Sequence, residues 1–169
     1  MHIFLTGEIQ IGKSTVIART LPLLEKTYGG FRTSFGPDRQ NHDRVLYMND
    51  ASGADVFTKD HVVAAFRKGE LPEAFTDSFN TLGSKYLLKA KKHAQLIIMD
   101  ECGFLEIGAT VFQNEILNIL NGDIPVLGVL RQTAAGWINQ IRTHPKVTIF
   151  TVNESNRDIL PYKLRDKFI

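Results

Sequence analysis

The chain has 169 residues, of which 43% are hydrophobic and 22% are charged. This composition excludes a disordered chain, because it supplies enough apolar side chains for a core, and the single cysteine excludes a disulfide-dense scaffold. The net charge of +2 is too small to indicate nucleic acid or a membrane surface as a partner. We therefore expect a single domain over residues 1–169 that binds neither nucleic acid nor a membrane.

The expected location is the cytoplasm. Cys102 has no second cysteine with which to form an internal disulfide. The N-terminus lacks a basic region followed by a long apolar stretch, and no apolar run approaches the ~20 residues of a membrane span. The sequence does not indicate an oligomeric state.

The first elements in chain order are a strand, a glycine-rich loop and a helix. Residues 2–6 form an apolar run typical of a buried strand, and helical spacing begins after Gly12. Pro22 predicts that this helix ends near Leu21, and the "YGG" at 28–30 is expected to close the segment.

Turn-forming residues separate the elements that follow. Extended segments are predicted at 31–35 and 44–48, and helices at 57–75 and 77–94. Further strands are predicted at 95–101, 125–131 and 146–152, and further helices at 109–121, at 134–142 and within 153–169. Continuous apolar strands that alternate with helices predict a mainly parallel sheet covered on both faces, in the three-layer α/β class.

The loop "GEIQIGKST" fits the pattern G-x-x-x-x-G-K-[ST]. Its backbone N–H groups and the following helix N-terminus suit a triphosphate, so Lys13 is predicted to reach the β- and γ-phosphates and Ser14 to ligate Mg²⁺. The predicted phosphate-binding residues are Gly7, Glu8, Ile9, Gln10, Ile11, Gly12, Lys13, Ser14 and Thr15.

The predicted strand "QLIIMDE" ends in two acidic residues, Asp100 and Glu101. An acid at the carboxyl end of such a strand faces the ligand crevice, so Asp100 is predicted to hold Mg²⁺ with Ser14. Glu101 is the candidate general base for an attacking water, and Glu106 is its rival.

Three residues elsewhere are weaker candidates. Arg131, at the end of the predicted strand 125–131, would stabilise charge on the transferred phosphoryl group, or pair with a surface carboxylate. Asn156 and Arg157 are candidates for contact with the nucleotide base. Trp137 is assigned to the core rather than to a stacking surface.

Several segments together resemble the THEP1-type nucleoside-triphosphatase family of small P-loop NTPases. They are "GEIQIGKST", "FRTSFG", "IIMDECGFLEIGATVFQNEILNIL" and "TVNESNRDILP". Asp100, Glu101, Gly103 and Glu106 match the D-E-x-G-x-x-E block of that family, and residues 156–161 match its N-R-(D/N)-x-L-P tail. The likeness is weakest over 36–75. The resemblance implies a P-loop fold and Mg²⁺-dependent hydrolysis of ATP, GTP and other nucleoside triphosphates with broad base tolerance.

Two alternatives to hydrolysis stay open from the residues. A nucleotide or small-molecule kinase shares the phosphate loop but transfers the phosphoryl group to an acceptor, for which "PDRQNHDR" would be a candidate contact. A nucleotide-gated regulatory protein would use the nucleotide to set a conformation. The chain has no N-K-x-D motif for guanine, which argues against a GTPase switch.

Overall fold

The computed structural model describes residues 1–133 and 136–169, which build one eight-stranded sheet between two layers of helices. The strands are β1 His2–Thr6, β2 Tyr28–Phe35, β3 Arg44–Asp50, β4 Val62–Phe66, β5 Glu73–Ala74, β6 Leu96–Cys102, β7 Val126–Leu130 and β8 Val147–Thr151. Their order across the sheet is β5-β4-β3-β2-β6-β7-β1-β8.

The sheet has a parallel part and an antiparallel part. Strands β2, β6, β7, β1 and β8 are parallel to their neighbours in this group. Strands β3, β4 and β5 extend the sheet from β2 in antiparallel pairs. The phosphate-loop strand β1 and the acidic strand β6 are both neighbours of β7, so their carboxyl ends open at the same edge.

The helices cover both faces of the sheet. They are α1 Lys13–Thr20, α2 Thr76–Ser78, α3 Ser84–His93, α4 Thr110–Asn121, α5 Ile138–Arg142 and α6 Leu160–Phe168. A π-helical segment, Phe79–Gly83, joins α2 to α3, and 3₁₀ turns form at Leu21–Leu23 and Lys59–His61. No helix among residues 1–133 and 136–169 combines the length and apolar character needed to cross a membrane.

Two apolar cores lie on the two faces of the sheet. One contains side chains of α3, α4 and α5, with Phe31, Phe79 and Phe112 in contact at its centre. The other contains side chains of α1 and α6, including Ile17 and Leu164. The three-layer α/β fold predicted from the alternating strands and helices is therefore confirmed.

Most predicted elements are present with shifted ends. Helix α1 ends at Thr20 and passes into the 3₁₀ turn that contains Pro22, because proline at this point lacks the N–H that a continued helix needs. Segments 31–35 and 44–48 pair as antiparallel strands. Of the predicted helix 134–142, the structure describes α5, and residues 134 and 135 lie outside the described residues.

The helix predicted over 57–75 is wrong. This segment forms the 3₁₀ turn Lys59–His61, strand β4 and strand β5. The run of two valines, two alanines and a phenylalanine satisfies its backbone groups by pairing with β3, and Val63 and Ala64 are fully buried. Gly69 then turns the chain with φ +75°, so that β5 returns beside β4. Sheet pairing and burial thus outweigh the helical propensity of the alanines.

The "YGG" segment does not close a helical unit but opens strand β2. Gly30 has φ +111°, and a Cβ built there would overlap the carbonyl oxygen of Ile98 in the neighbouring strand. Gly29 lies against Ala90 of α3, so that a Cβ would approach the methyl group of Ala90 to 3.1 Å. The two glycines therefore permit close packing of strand, strand and helix rather than a turn.

Candidate active site

The loop between β1 and α1 curves around a space at the carboxyl edge of the sheet. Gly7 has φ +141° and Gly12 has φ +106°, a backbone region that side chains with a Cβ rarely adopt. A Cβ on Gly7 would also lie 2.6 Å from the carbonyl oxygen of Val152. The two glycines of the pattern are thus required by the path of the loop itself.

Lys13 closes over this loop. Its Nζ donates to the carbonyl oxygen of Gly7 at 3.0 Å and to that of Glu8 at 2.6 Å. Partial burial lowers the pKa of Lys13, and the nearby carboxylates of Glu101 and Asp100 oppose this shift. The ammonium is therefore held at the mouth of the loop, where a polyphosphate would exchange the two carbonyl contacts for its own oxygens.

Ser14 and Asp100 join the phosphate loop to strand β6. The hydroxyl of Ser14 donates to Oδ1 of Asp100 at 3.0 Å. Burial raises the pKa of Asp100 to about 6, while the Ser14 hydrogen bond opposes the shift. The two oxygen ligands predicted from the sequence are thus adjacent in the structure.

Glu101 and Arg131 form an ion pair in the space beyond the loop. The distance from Arg131 Nε to Glu101 Oε1 is 3.2 Å, and both side chains are about one third exposed. The guanidinium of Arg131 also lies over the ring of Phe104, 5.1 Å from its centre. The cleft therefore presents a carboxylate and a cation side by side.

Glu106 lies behind the cleft. Only 3% of the residue is exposed, and its Oε2 accepts a hydrogen bond from the backbone N–H of Gly103 at 2.9 Å. Burial raises the pKa of Glu106 to about 7, with the Gly103 N–H opposing the shift. Unlike Glu101, Glu106 does not line the main cleft among the described residues.

A cleft of about 540 Å³ brings most of the predicted residues together. It is lined by Gly7, Ile9, Gln10, Gly12, Lys13, Ser14, Thr15, Phe35, Glu101, Arg131, Gln132 and Thr133. Of the other predicted loop residues, Glu8 and Ile11 line an adjoining groove of about 440 Å³ that opens toward 151–155. Asp100 lines neither of these spaces but a further cleft that also borders Ser14.

The sequence reasoning missed three residues of the main cleft. Gln132 and Thr133 follow Arg131 just after β7, and the rule that strand ends point into the crevice would have selected them together with Arg131. Phe35 ends β2, and nothing in its sequence context separated it from a core aromatic residue.

Asn156 and Arg157, the two candidates for contact with the base, have different surroundings. Arg157 borders a groove of about 370 Å³ beside the loop, together with Gln10 and Gly12. The side chain of Asn156 instead donates to the carbonyl oxygen of Thr151 and accepts from the N–H of Asn153. The structure therefore brings Arg157 to the phosphate loop and engages Asn156 in the turn after β8.

A second, mostly apolar cleft of about 470 Å³ lies between α1 and β2. It shares Ser14 with the main cleft and reaches Asp100, while Tyr28 and Ile98 form part of its apolar lining. Arg32 borders it and donates to the carbonyl oxygens of 51 and 53 and to the carboxylate of Asp55. These bonds hold the segment after β3, of which Ala51 forms part of the cleft lining.

Comparison with known proteins adds a family match and two similar folds. A family model described as NTPase matches residues 2–165. The nucleoside-triphosphatase THEP1 of Methanosarcina acetivorans is 28% identical over 173 aligned positions, covering 100% of this chain and 97% of that protein. The THEP1 of Thermotoga maritima is 26% identical over 168 positions, covering 95% and 91%.

Two solved structures share the fold. The crystal structure of THEP1 from the hyperthermophile Aquifex aeolicus superposes with a TM-score of 0.78 at 20% identity, covering 97% of this chain and 96% of that chain. The solution structure of a human cancer-related nucleoside triphosphatase gives a TM-score of 0.73 at 23% identity, covering 98% and 96%.

Proposed function

Since the chain belongs to the NTPase family, we propose that it hydrolyses nucleoside triphosphates to nucleoside diphosphates and phosphate in the main cleft. The observation that carries the proposal is the meeting of Lys13, Ser14 and Glu101 in this one space of about 540 Å³. A phosphate loop alone would support binding. A carboxylate that lines the same cleft adds a group able to orient and deprotonate water.

Lys13 supplies positive charge to the β- and γ-phosphates in the proposed reaction. Charge on the transferred phosphoryl group and on the leaving diphosphate changes most in the transition state, so a fixed ammonium lowers the barrier. The carbonyl contacts of Lys13 with the loop support this role, since they hold Nζ where the phosphates would bind.

Glu101 is the proposed base, and the burial of Glu106 favours this choice. A general base must come within hydrogen-bond reach of the water that it activates. Glu101 lines the cleft, whereas the carboxyl of Glu106 is buried and bonded to the Gly103 peptide. Arg131, beside Glu101, is proposed to stabilise negative charge on the phosphoryl oxygens.

Ser14 and Asp100 are the proposed Mg²⁺ ligands, and their chemistry fits the ion. Both present oxygen atoms, the ligand that Mg²⁺ prefers, and Ser14 Oγ lies 3.0 Å from Asp100 Oδ1. No cluster of three His, Cys, Asp or Glu side chains suited to a metal occurs within 1–133 and 136–169, which agrees with an ion that takes its other ligands from phosphate and water. When bound, Mg²⁺ would neutralise phosphate charge.

Broad base tolerance is proposed because the loop would bind the phosphates mostly through backbone groups. The groove beside the loop offers Arg157 as a surface for the base. Initial rates with ATP, GTP, CTP and UTP test this point. We expect kcat/KM to vary by less than ~10⁴-fold, and a larger ratio would require a dedicated base pocket.

Phosphate release from purified protein with NTP and Mg²⁺ tests the proposed hydrolysis. Turnover without any acceptor is the expected result, and omission of Mg²⁺ should abolish it. Undiminished NTP binding without phosphate release would contradict hydrolysis and favour a nucleotide-gated regulatory protein.

A phosphoryl-transfer function is the second candidate. It is favoured by the second cleft, which could take an acceptor at Ser14 and Asp100. Addition of candidate acceptors such as nucleosides distinguishes the two reactions. Phosphorylated acceptor in place of free phosphate would identify a kinase, whereas free phosphate at the same rate with and without acceptor supports the hydrolase.

A further inference from the structure

Gly103, in the turn after β6, is held through both of its flanking peptide groups. Its carbonyl oxygen accepts a hydrogen bond from Trp137 Nε1 at 3.0 Å, and its N–H donates to Glu106 Oε2 at 2.9 Å. Trp137 is 5% exposed and Glu106 is 3% exposed, so both bonds are shielded from water. We refer to Trp137, Gly103 and Glu106 as the brace.

Arg131 packs directly on this brace. A Cβ built on Gly103 would lie 3.0 Å from Arg131 Cγ, so the alkyl part of the arginine occupies the space left by the missing side chain. The backbone of Arg131 is held as well. Its N–H donates to the carbonyl oxygen of Cys102 at 3.0 Å, and its own carbonyl oxygen accepts from Arg142 Nη2 at 2.6 Å.

The guanidinium of Arg131 is oriented by residues on either side of Gly103. Glu101 precedes Gly103 by two positions and bonds to Arg131 Nε, and Phe104 follows Gly103 and underlies the guanidinium. Both partners of the Arg131 guanidinium therefore lie within two positions of Gly103 in the chain.

We infer that Trp137 is a positioning residue for the reaction: through its bond to Gly103 it sets the turn against which Arg131 is held in the main cleft. Trp137 does not itself line that cleft among the described residues. The inference rests on the proposed function, since it assigns Arg131 a role in stabilising the transition state.

Trp137→Phe tests the inference, because phenylalanine keeps an apolar ring and removes the N–H. We expect kcat to fall roughly 10- to 100-fold, the size of effect that a displacement of about 1 Å can cause, while KM changes less than about threefold. Phe79→Leu is the matched control. It trims a fully buried aromatic residue that is not part of the brace, and kcat should stay within about threefold of wild type.

A double-mutant cycle with Arg131→Ala separates positioning from general packing. If Trp137 acts through Arg131, Trp137→Phe should reduce kcat by less than about threefold when Arg131 is already alanine. Losses that multiply in the double variant would overturn the inference. Urea unfolding of each variant verifies that kcat is measured on folded protein.

A second variant perturbs the same contact from the other side. In Gly103→Ala the new methyl group presses on Arg131 Cγ, so we expect a lower kcat that again disappears in the Arg131→Ala background. Unchanged kcat in both Trp137→Phe and Gly103→Ala would also overturn the inference. An Arg131→Ala enzyme with full kcat would instead refute the proposed role of Arg131, and a wild-type protein without NTP turnover would refute the proposed function.

Discussion

At the scale of single residues, the proposed turnover depends on the ammonium group of Lys13 in the phosphate loop. Lys13→Ala removes the group that bonds to the carbonyls of Gly7 and Glu8. We expect turnover to fall by at least ~10²-fold with little loss of stability, because the group stabilises charge in the transition state and is partly exposed. Phosphate-release kinetics and circular dichroism measure the two effects. A folded variant with near-normal kcat would refute the assignment of the phosphate loop.

The identity of the base is a second prediction at residue scale. Glu101→Gln keeps the size of the side chain but removes the carboxylate that lines the cleft, so we expect kcat to fall ~10²–10⁴-fold while Mg²⁺–NTP still binds. Asp100→Asn should also weaken metal-dependent binding, since it alters a proposed ligand. Nucleotide titrations with and without Mg²⁺ distinguish the two variants.

Glu106→Gln is the comparison for the base. The glutamine keeps an oxygen that can accept the Gly103 N–H, so we expect kcat to fall by less than about tenfold. If Glu106→Gln inactivated the enzyme while Glu101→Gln remained active, the general base would be Glu106. If both remained active, the site would act by positioning and charge alone.

At the scale of elements, the close pairing of β2 with β6 requires a glycine. Gly30→Ala places a methyl group against the Ile98 carbonyl at φ +111°, and we expect at least about 3 kcal/mol of destabilisation. Gly69→Ala is the matched control, because Gly69 has φ +75° but a Cβ added there would meet no atom within 4 Å, so about 1 kcal/mol is expected. Urea unfolding measures both, and equal costs would contradict the steric argument.

Elements bounded by strong local signals were predictable from the sequence. Three elements follow from local patterns: the strand before the phosphate loop, helix α1, which ends just before the Pro22 turn, and the acidic strand β6. Strand β4 was not predictable, because its apolar residues support either a helix or a strand until β3 provides partners for its backbone. The role of Gly30 was not predictable for a related reason: its neighbour Ile98 is distant in sequence.

At the scale of the whole molecule, burial of Glu106 makes stability depend on pH. Its pKa is about 7 in the folded protein against 4.5 for a glutamate in water, chiefly through burial, with Glu101 raising and Arg131 lowering it. The folded state thus binds the proton more tightly. The favourable contribution is complete below pH 4.5 and is lost as the pH rises through 7.

Glu106→Gln should remove this pH dependence. Relative to wild type, the unfolding free energy of the variant should increase between about pH 4.5 and 7.5 by up to about 3 kcal/mol. Glu70→Gln makes the same chemical change on the exposed turn between β4 and β5 and should show no such trend. Urea unfolding at several pH values measures the difference, and a difference between Glu106→Gln and wild type that does not change with pH would contradict a raised pKa.

The residues of the candidate site were predictable where they belong to a local motif. The phosphate-loop pattern predicts Lys13 and Ser14, and the acidic end of a buried strand predicts Asp100 and Glu101. Strand order was not predictable, since it depends on contacts across the whole sheet. The burial of Glu106 was not predictable either, because it results from the packing of the turn after β6 against Trp137.

Trp137 is the only tryptophan in the chain, and its indole is bonded to the turn beside the cleft. Indole emission responds to hydrogen bonding and to the polarity around the ring. All tryptophan fluorescence of this protein therefore originates at one point next to the proposed reaction centre. The unlabelled protein carries an intrinsic optical probe, with which movements of the turn during a catalytic cycle can be followed in stopped-flow experiments.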